Sequence, residues 1–247
     1  MDEYRHMEGY IDVHCHILPG VDDGSADMEM TKQMLQTAWR DGIRCMIATP
    51  HYHEGHVETQ PAKLIEAWKQ TAAYAREIHK DFLIYLGSEL YGTHSLTASV
   101  EKGRALTING GRYVLVEFNP SKGYSEIVTT LRKLQMSGYR PVLAHAERYK
   151  CLVKEPYRVE ELVDMGIYIQ VNASGVTGET GLPSKAFVKK LMKYELVHFL
   201  GSDAHNMGNR KPAMQKCVSY VSRKFGEDYA RRISWDNALR MLCNEPI

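Results

Sequence analysis

Seven short apolar runs alternate with amphipathic helical stretches along most of this chain, and that alternation limits the possible folds more than any other feature. The first run begins at Ile11, and the others cover residues 43–49, 82–86, 113–118, 141–144, 167–171 and 197–200. Helical spacing of apolar residues fills the gaps. Ser25 or Asp27 can cap the first helix, which Asp41-Gly42 ends; later helices are expected over 61–80, 126–137, 159–165, 184–194, 214–224 and 235–242. Runs such as 43–49 are apolar without alternation, as strands buried on both faces are. Strands separated by helices predict a parallel α/β sheet. Near-regular repetition over 247 residues favours a distorted seven-stranded (β/α)7 TIM-like barrel over an open doubly wound sheet, although the usual barrel count is eight.

Composition narrows the function classes. A formal net charge of +1 gives no basic field for nucleic acid. The five cysteines are odd in number, widely spaced and without a Cys-x-x-Cys pair, which argues against a disulfide framework or zinc ribbon. No apolar run reaches membrane-spanning length, and residues 1–9 lack the apolar centre of a signal peptide. The expectation is a cytoplasmic protein without membrane insertion, with residues 1–9 as an N-terminal extension and 10–247 as a single domain.

The placement of polar residues is more informative than their identity. His14 and His16 alternate along the first strand, so both project to one face while Cys15 points away. His51, Glu89, Glu117, His145, Asp203 and His205 each fall at or just past the end of a predicted strand, and Asp23 lies on the loop after the first. In an α/β barrel those ends converge on one face, where active sites are built. Nine imidazole and carboxylate groups exceed what one tetrahedral zinc needs, and a mixed His/Asp/Glu set suits two or three divalent ions such as Mn, Fe or Zn. Clustered ions of that kind polarise phosphoryl oxygens and produce hydroxide near neutral pH, the equipment for phosphate ester hydrolysis. Arg148 and Arg210, close behind His145 and His205, can grip phosphate bidentately.

These residues form a pattern. His14-x-His16, Val21-Asp22-Asp23-Gly24, Thr49-Pro50-His51, Gly87-Ser88-Glu89, Val116-Glu117-Phe118, Ala144-His145-x-Glu147-Arg148 and Ser202-Asp203-x-His205 resemble the polymerase and histidinol phosphatase superfamily. More narrowly, the chain is similar to the metal-dependent tyrosine-protein phosphatases of Gram-positive capsule and exopolysaccharide clusters, over residues 10–246 and with the motifs in family order. The nine leading residues depart from the family pattern, and His53 and His56 are expected to be loop residues.

The resemblance implies a three-metal site, with Mn as the expected ion. His14, His16, Glu89 and Asp203 would hold one ion. Glu89 would bridge to a second, completed by Glu117 and His145, and Asp23, His51 and His205 would hold the third. Arg148 and Arg210 match the phosphate-binding arginines. The implied reaction is in-line attack on phosphorus by a hydroxide held between metals, with no phosphoenzyme. The implied substrate is phosphotyrosine on the tail of a bacterial tyrosine kinase, so that the enzyme regulates polysaccharide synthesis. Two alternatives stay open: a histidinol-phosphate phosphatase with the same metals, and a non-catalytic metal-binding regulator.

Cys217 and Arg223 have the Cys-x5-Arg spacing of cysteine-dependent tyrosine phosphatases. Those enzymes present backbone N–H groups around a thiolate from a Gly-bearing loop. The intervening residues here lie in a helical pattern with no Gly, so Cys217 reads as a small buried hydrophobe.

Overall fold

In the computed structural model, residues 8–247 are described; most of the expected 1–9 extension, residues 1–7, lies outside them. The strands are β1 (Tyr10–Cys15), β2 (Ile43–Ala48), β3 (His51–Tyr52), β4 (Leu83–Leu86), β5 (Glu89–Tyr91), β6 (Tyr113–Glu117), β7 (Arg140–Leu143), β8 (Tyr168–Asn172) and β9 (Phe199–Gly201). All their pairings are parallel, in the orders β1-β2-β4 and β3-β5-β6-β7-β8-β9.

The two sets are continuous. Strand β3 follows β2 after Thr49-Pro50, and β5 follows β4 after Gly87-Ser88. Gly87 N–H donates to Ala48 O at 2.9 Å and Glu89 N–H to Pro50 O at 3.0 Å across these breaks. Proline has no N–H to offer a ladder, which is why the second strand is interrupted at Pro50. The sheet then curls until the loop after β9 meets β1: Asp203 N–H donates to His14 O at 2.8 Å, and His16 N–H to Ala204 O at 2.8 Å. The fold is thus α/β with a curled parallel sheet.

The helices lie close to their predicted places. Asp27, not Ser25, caps Met28–Arg40 by accepting from Met30 N–H at 2.9 Å. Ser25 turns inward to the Thr31 hydroxyl. Pro61–Ile78 starts at its proline, whose missing N–H costs nothing in a first turn. Tyr124–Met136, Tyr157–Asp164 and Leu182–Lys193 each begin two residues before the apolar stripe indicates, because a first turn can be polar or carry Pro183. A helix at Leu96–Glu101 and the short strands β3 and β5 are additions that periodicity could not reveal at those lengths. Near the C-terminus, Arg232–Asp236 forms a π-helical turn before Asn237–Leu242.

Alternate residues of the strands build one buried layer: Ile11 and Val13, Cys45 and Ile47, Tyr113 and Leu115, with Trp235 and Met241 from the C-terminal helices. This packing holds the strands so that their polar C-terminal ends face one mouth. Among the described residues, no helix is long and apolar enough to cross a membrane.

Candidate metal centre

Glu89, the first residue of β5, stands at the middle of the polar mouth and is 1% exposed. Its Oε2 lies 3.1 Å from His14 Nε2, 3.2 Å from His16 Nε2 and 3.1 Å from His51 Nδ1. Its Oε1 lies 2.8 Å from His145 Nε2. Glu117 closes one side, with Oε1 3.1 Å from His51 Nδ1 and Oε2 3.7 Å from His145 Nε2. Asp203 closes another, with Oδ1 3.6 Å from His14 Nε2 and 3.5 Å from His205 Nδ1. Asp23 is exposed at the rim, 3.3 Å from His51 Nε2 and 3.5 Å from His205 Nε2. All nine sequence-predicted ligand positions therefore converge, and three overlapping groups of donors lie close enough to share an ion: His14/His16/Glu89, His51/Glu89/Glu117 and His16/Asp23/His51/His205.

Arg148 and Arg210 arrive at the same place from separate loops. Both guanidiniums pair with Asp203, Arg148 on Oδ2 and Arg210 on Oδ1, the latter at 2.7 Å. His53 and His56 stay outside this cluster: the His53 ring stacks on Tyr91 at 4.0 Å and meets His56 at 4.3 Å. Cys217 is buried in the helix Gln215–Phe225, and burial pushes its thiol well up. No loop cradles it.

The backbone is bent to make these contacts. His145 and Asp203 are non-glycine residues at φ 34° and 53°, a left-handed conformation that costs free energy and concentrates at functional sites. Each is held through its own backbone N–H, which donates to Gln170 Oε1 at 2.7 Å from His145 and to His14 O at 2.8 Å from Asp203. Gly24 permits the loop of Asp22 and Asp23 to fold back, since a Cβ there would lie 2.2 Å from His16 O. Gly201 similarly leaves room for His14, whose Cβ would be 2.7 Å from an added methyl.

Behind the centre lies a shell of proton-fixing groups. Asp22, with its side chain buried, pairs with His16 Nδ1 at 2.7 Å. Gln170 Oε1 faces His14 Nδ1 at 3.2 Å, and its amide nitrogen donates to Asn172 Oδ1 at 2.9 Å. Asn172 Nδ2 in turn donates to Asp203 Oδ2 at 2.9 Å. His205 Nδ1 meets the Asp203 carbonyl at 3.0 Å. With Nδ1 of each ring facing an acceptor, the Nε2 atoms of His14 and His16 lie 3.2 Å apart. Lone pairs at that separation require a shared cation, a proton or a metal ion.

The electrostatics agree. Burial alone would depress His16, but the Asp22 and Glu89 carboxylates hold it up at about 9. His51 is likewise opposed by burial yet raised to about 9 by Glu117, Glu89 and Asp23. Against its own burial, Glu89 is held well below the usual carboxylate range by His14, His145 and His16. His205 goes the other way, down to about 4, through burial and the neighbouring His16 charge. His145 Nδ1 and His205 Nε2 are buried with no hydrogen-bond partner among the described residues. A crowded, buried donor set of imidazole and carboxylate, with such unsatisfied nitrogens, fits divalent metal ions.

The family model for capsular polysaccharide synthesis proteins CpsB/CapC matches residues 10–243. The chain belongs to the CpsB/CapC family. It is 36% identical over 242 residues to the tyrosine-protein phosphatase CpsB of Streptococcus pneumoniae, covering 96% of this chain and 100% of that protein. It is 34% identical over 241 residues to the tyrosine-protein phosphatase YwqE of Bacillus subtilis (strain 168), covering 96% and 93%. A crystal structure from work on YwqE and CpsB, described as unique metal-dependent tyrosine phosphatases, superposes with a TM-score of 0.89 at 32% identity over 96% of each chain.

Sequence reasoning identified the mouth of this CpsB/CapC chain but not the shell behind it. Gln170 and Asn172 sit inside β8, where a polar residue reads as a solvent-facing position. Both are buried. The available signal was their period-two spacing in an otherwise apolar run. Asp12 is a second miss: it is fully buried on β1 and accepts from Ser202 N–H at 2.8 Å, and burial raises it to about 6.

Proposed function

We propose that this chain is a metal-dependent protein-tyrosine phosphatase acting on a bacterial tyrosine kinase and so regulating capsular or exopolysaccharide synthesis. The observation that carries the reading is the meeting, at one mouth, of the Glu89-centred donor cluster and two arginines from separate loops. The family's named phosphatases, covered almost end to end, support it.

In this reading His14, His16, Glu89 and Asp203 would hold one ion, Glu89, Glu117 and His145 a second, and Asp23, His51 and His205 a third, with Mn the expected metal. Bound divalent ions supply Lewis acidity toward phosphoryl oxygens and hydroxide near neutral pH. The chain's own residues do the rest. Asp22 and Gln170 keep protons on Nδ1 of His16 and His14, leaving Nε2 free to bind a cation. Arg148 and Arg210 bind and orient the phosphoryl oxygens and neutralise charge that grows in the transition state. A tyrosine leaving group, with a pKa of about 10, departs without a dedicated strong acid. The curled sheet is read as a distorted (β/α)7 barrel carrying one catalytic domain over residues 10–247, in a cytoplasmic protein.

The test is steady-state kinetics of Mn-loaded protein on a phosphotyrosine peptide and on histidinol phosphate. Preference for the peptide, abolished in His14→Ala and Glu89→Ala, is the expected result. Preference for histidinol phosphate would move the protein to metabolite hydrolysis. Turnover of neither by metal-loaded protein would leave a metal-binding regulator.

A further inference from the structure

Two cavities meet at Arg148. The larger, about 1040 Å³, opens beside the centre with Arg148, Asp203 and Arg210 in its wall. The smaller, about 400 Å³, shares Arg148 and Thr180 with it. Pockets that enclose a whole small-molecule ligand run to about 300–1,000 Å³, so the space around Arg148 exceeds what one aryl phosphate fills. A longer substrate accounts for the surplus.

The charge of the walls says what kind. Beyond the two arginines the larger cavity carries Arg40, Lys211 and Lys216, and the smaller adds Lys150 and Lys154. The acids in the same walls are already engaged. Asp41 accepts from the backbone N–H groups of Met214 and Gln215. Glu179 holds the Thr177 hydroxyl at 3.1 Å and Lys216 at 3.7 Å. Glu147 is buried and accepts from Asn172 N–H at 3.0 Å, and Asp203 pairs with the two arginines. Among the described residues, Arg40, Lys150, Lys154 and Lys211 have no carboxylate partner. The whole chain carries a formal charge of only +1, so this cationic excess is local to the mouth.

We propose that the cavities around Arg148 form a cationic groove that seats the peptide flanking the phosphotyrosine and selects substrates whose flanking residues are acidic. The inference rests on the phosphatase reading above. A concave groove adjoining the phosphate grip admits one extended chain, whereas an anionic surface would meet its rim alone. Exposed cations of this sort act mainly through encounter and binding, so they alter KM more than kcat.

The experiment compares three substrates with Mn-loaded enzyme: free phosphotyrosine, a phosphotyrosine peptide with glutamates on both sides, and the same peptide with glutamines there. Wild type is set beside the triple variant Lys150→Ala, Lys154→Ala, Lys211→Ala, all three being exposed positions. Free phosphotyrosine serves as the internal reference. The expected preference for the glutamate peptide is on the order of tenfold in kcat/KM. It resides in KM, falls toward one in the triple variant, and shrinks in about 0.5 M salt as screening shortens the reach of the charges. Equal kcat/KM for the two peptides, or a preference that survives the triple variant, overturns the groove and leaves the phosphatase reading standing. If none of the three is hydrolysed, the phosphatase reading fails, and fluorescence anisotropy of the two peptides decides the groove separately. Tighter binding of the glutamate peptide, lost in the triple variant, then supports it, and equal binding overturns it.

Discussion

The Asp22 carboxylate pairs with His16 Nδ1 at 2.7 Å, and the same oxygen accepts the backbone N–H of His51 at 3.0 Å. One buried acid thus sets the proton on one imidazole of the centre and the position of another. Its pairing with His16 outweighs burial and holds Asp22 down at about 2, so it stays charged across the neutral range.

Asp22→Asn removes that charge while keeping an acceptor for the backbone. Partners of this kind behind a metal-binding histidine are worth about 10–100-fold in metal affinity or activity. Titration of metal-free protein with Mn is expected to show weaker binding by that factor. Undiminished affinity would reduce Asp22 to a brace for its loop.

Both arginines grip Asp203, and this predicts a specific pattern of loss. Arg148→Ala and Arg210→Ala should each lower kcat/KM on a phosphotyrosine peptide by about 10²–10³, the size of effect seen when one donor to a developing anion is removed. Bound metal, measured by elemental analysis, should stay near wild type. The double variant should fall short of the product of the single effects, because the two side chains share one carboxylate. Full loss of metal in either single variant would assign that arginine to site assembly instead.

The sequence exposed the mouth because its residues share one property that survives without coordinates: each polar ligand type follows an apolar run. His51 after Pro50, Glu89 after Gly87-Ser88 and His145 after Ala144 are legible for that reason. Gln170 was hidden because its partners, His14 Nδ1 and His145 N–H, are remote in sequence and reach it from other strands. The Arg148 and Arg210 contacts with Asp203 were equally invisible, since a pairing between loops depends on how far the sheet curls. The expected strand ends before Pro50 and Gly87-Ser88 are found, but the short strands β3 and β5 beyond them were not foreseen, because a strand of two or three residues has too little periodicity to register.

Glu89 brings metal and stability into one measurement. Four imidazoles crowd its carboxylate, and two lone-pair nitrogens face one another nearby. A ligand that binds only the folded state at about 100 times its Kd stabilises by about 2.7 kcal/mol. Thermal unfolding in excess Mn is expected to shift upward accordingly, and a chelator should reverse the shift. Glu89→Gln should abolish most of it. An equal shift in that variant would locate the stabilising ion elsewhere.

His198, just before β9 and outside the set of ligand positions, predicts an acid weakness of its own. The Ile169 N–H donates to its Nδ1 at 3.1 Å, which requires the neutral ring, and burial with the nearby Arg232 charge lowers it from 6.5 to about 4. The sign follows from proton uptake. Below pH 6.5 the unfolded chain binds a proton that the folded chain refuses down to about 4, so stability is lost as pH falls through that window. The slope is about 1.4 kcal/mol per pH unit at most. His198→Gln keeps an oxygen that can accept from Ile169 and removes the titration. Urea unfolding of both chains with chelator present, at neutral pH and near pH 4.5, should show the difference moving in favour of the variant by about 2–3 kcal/mol. Carboxylates and the other imidazoles titrate alike in both chains and cancel. Parallel stability curves would mean that the folded protein protonates His198 as readily as the unfolded one, and the Ile169 contact would then carry no pH dependence.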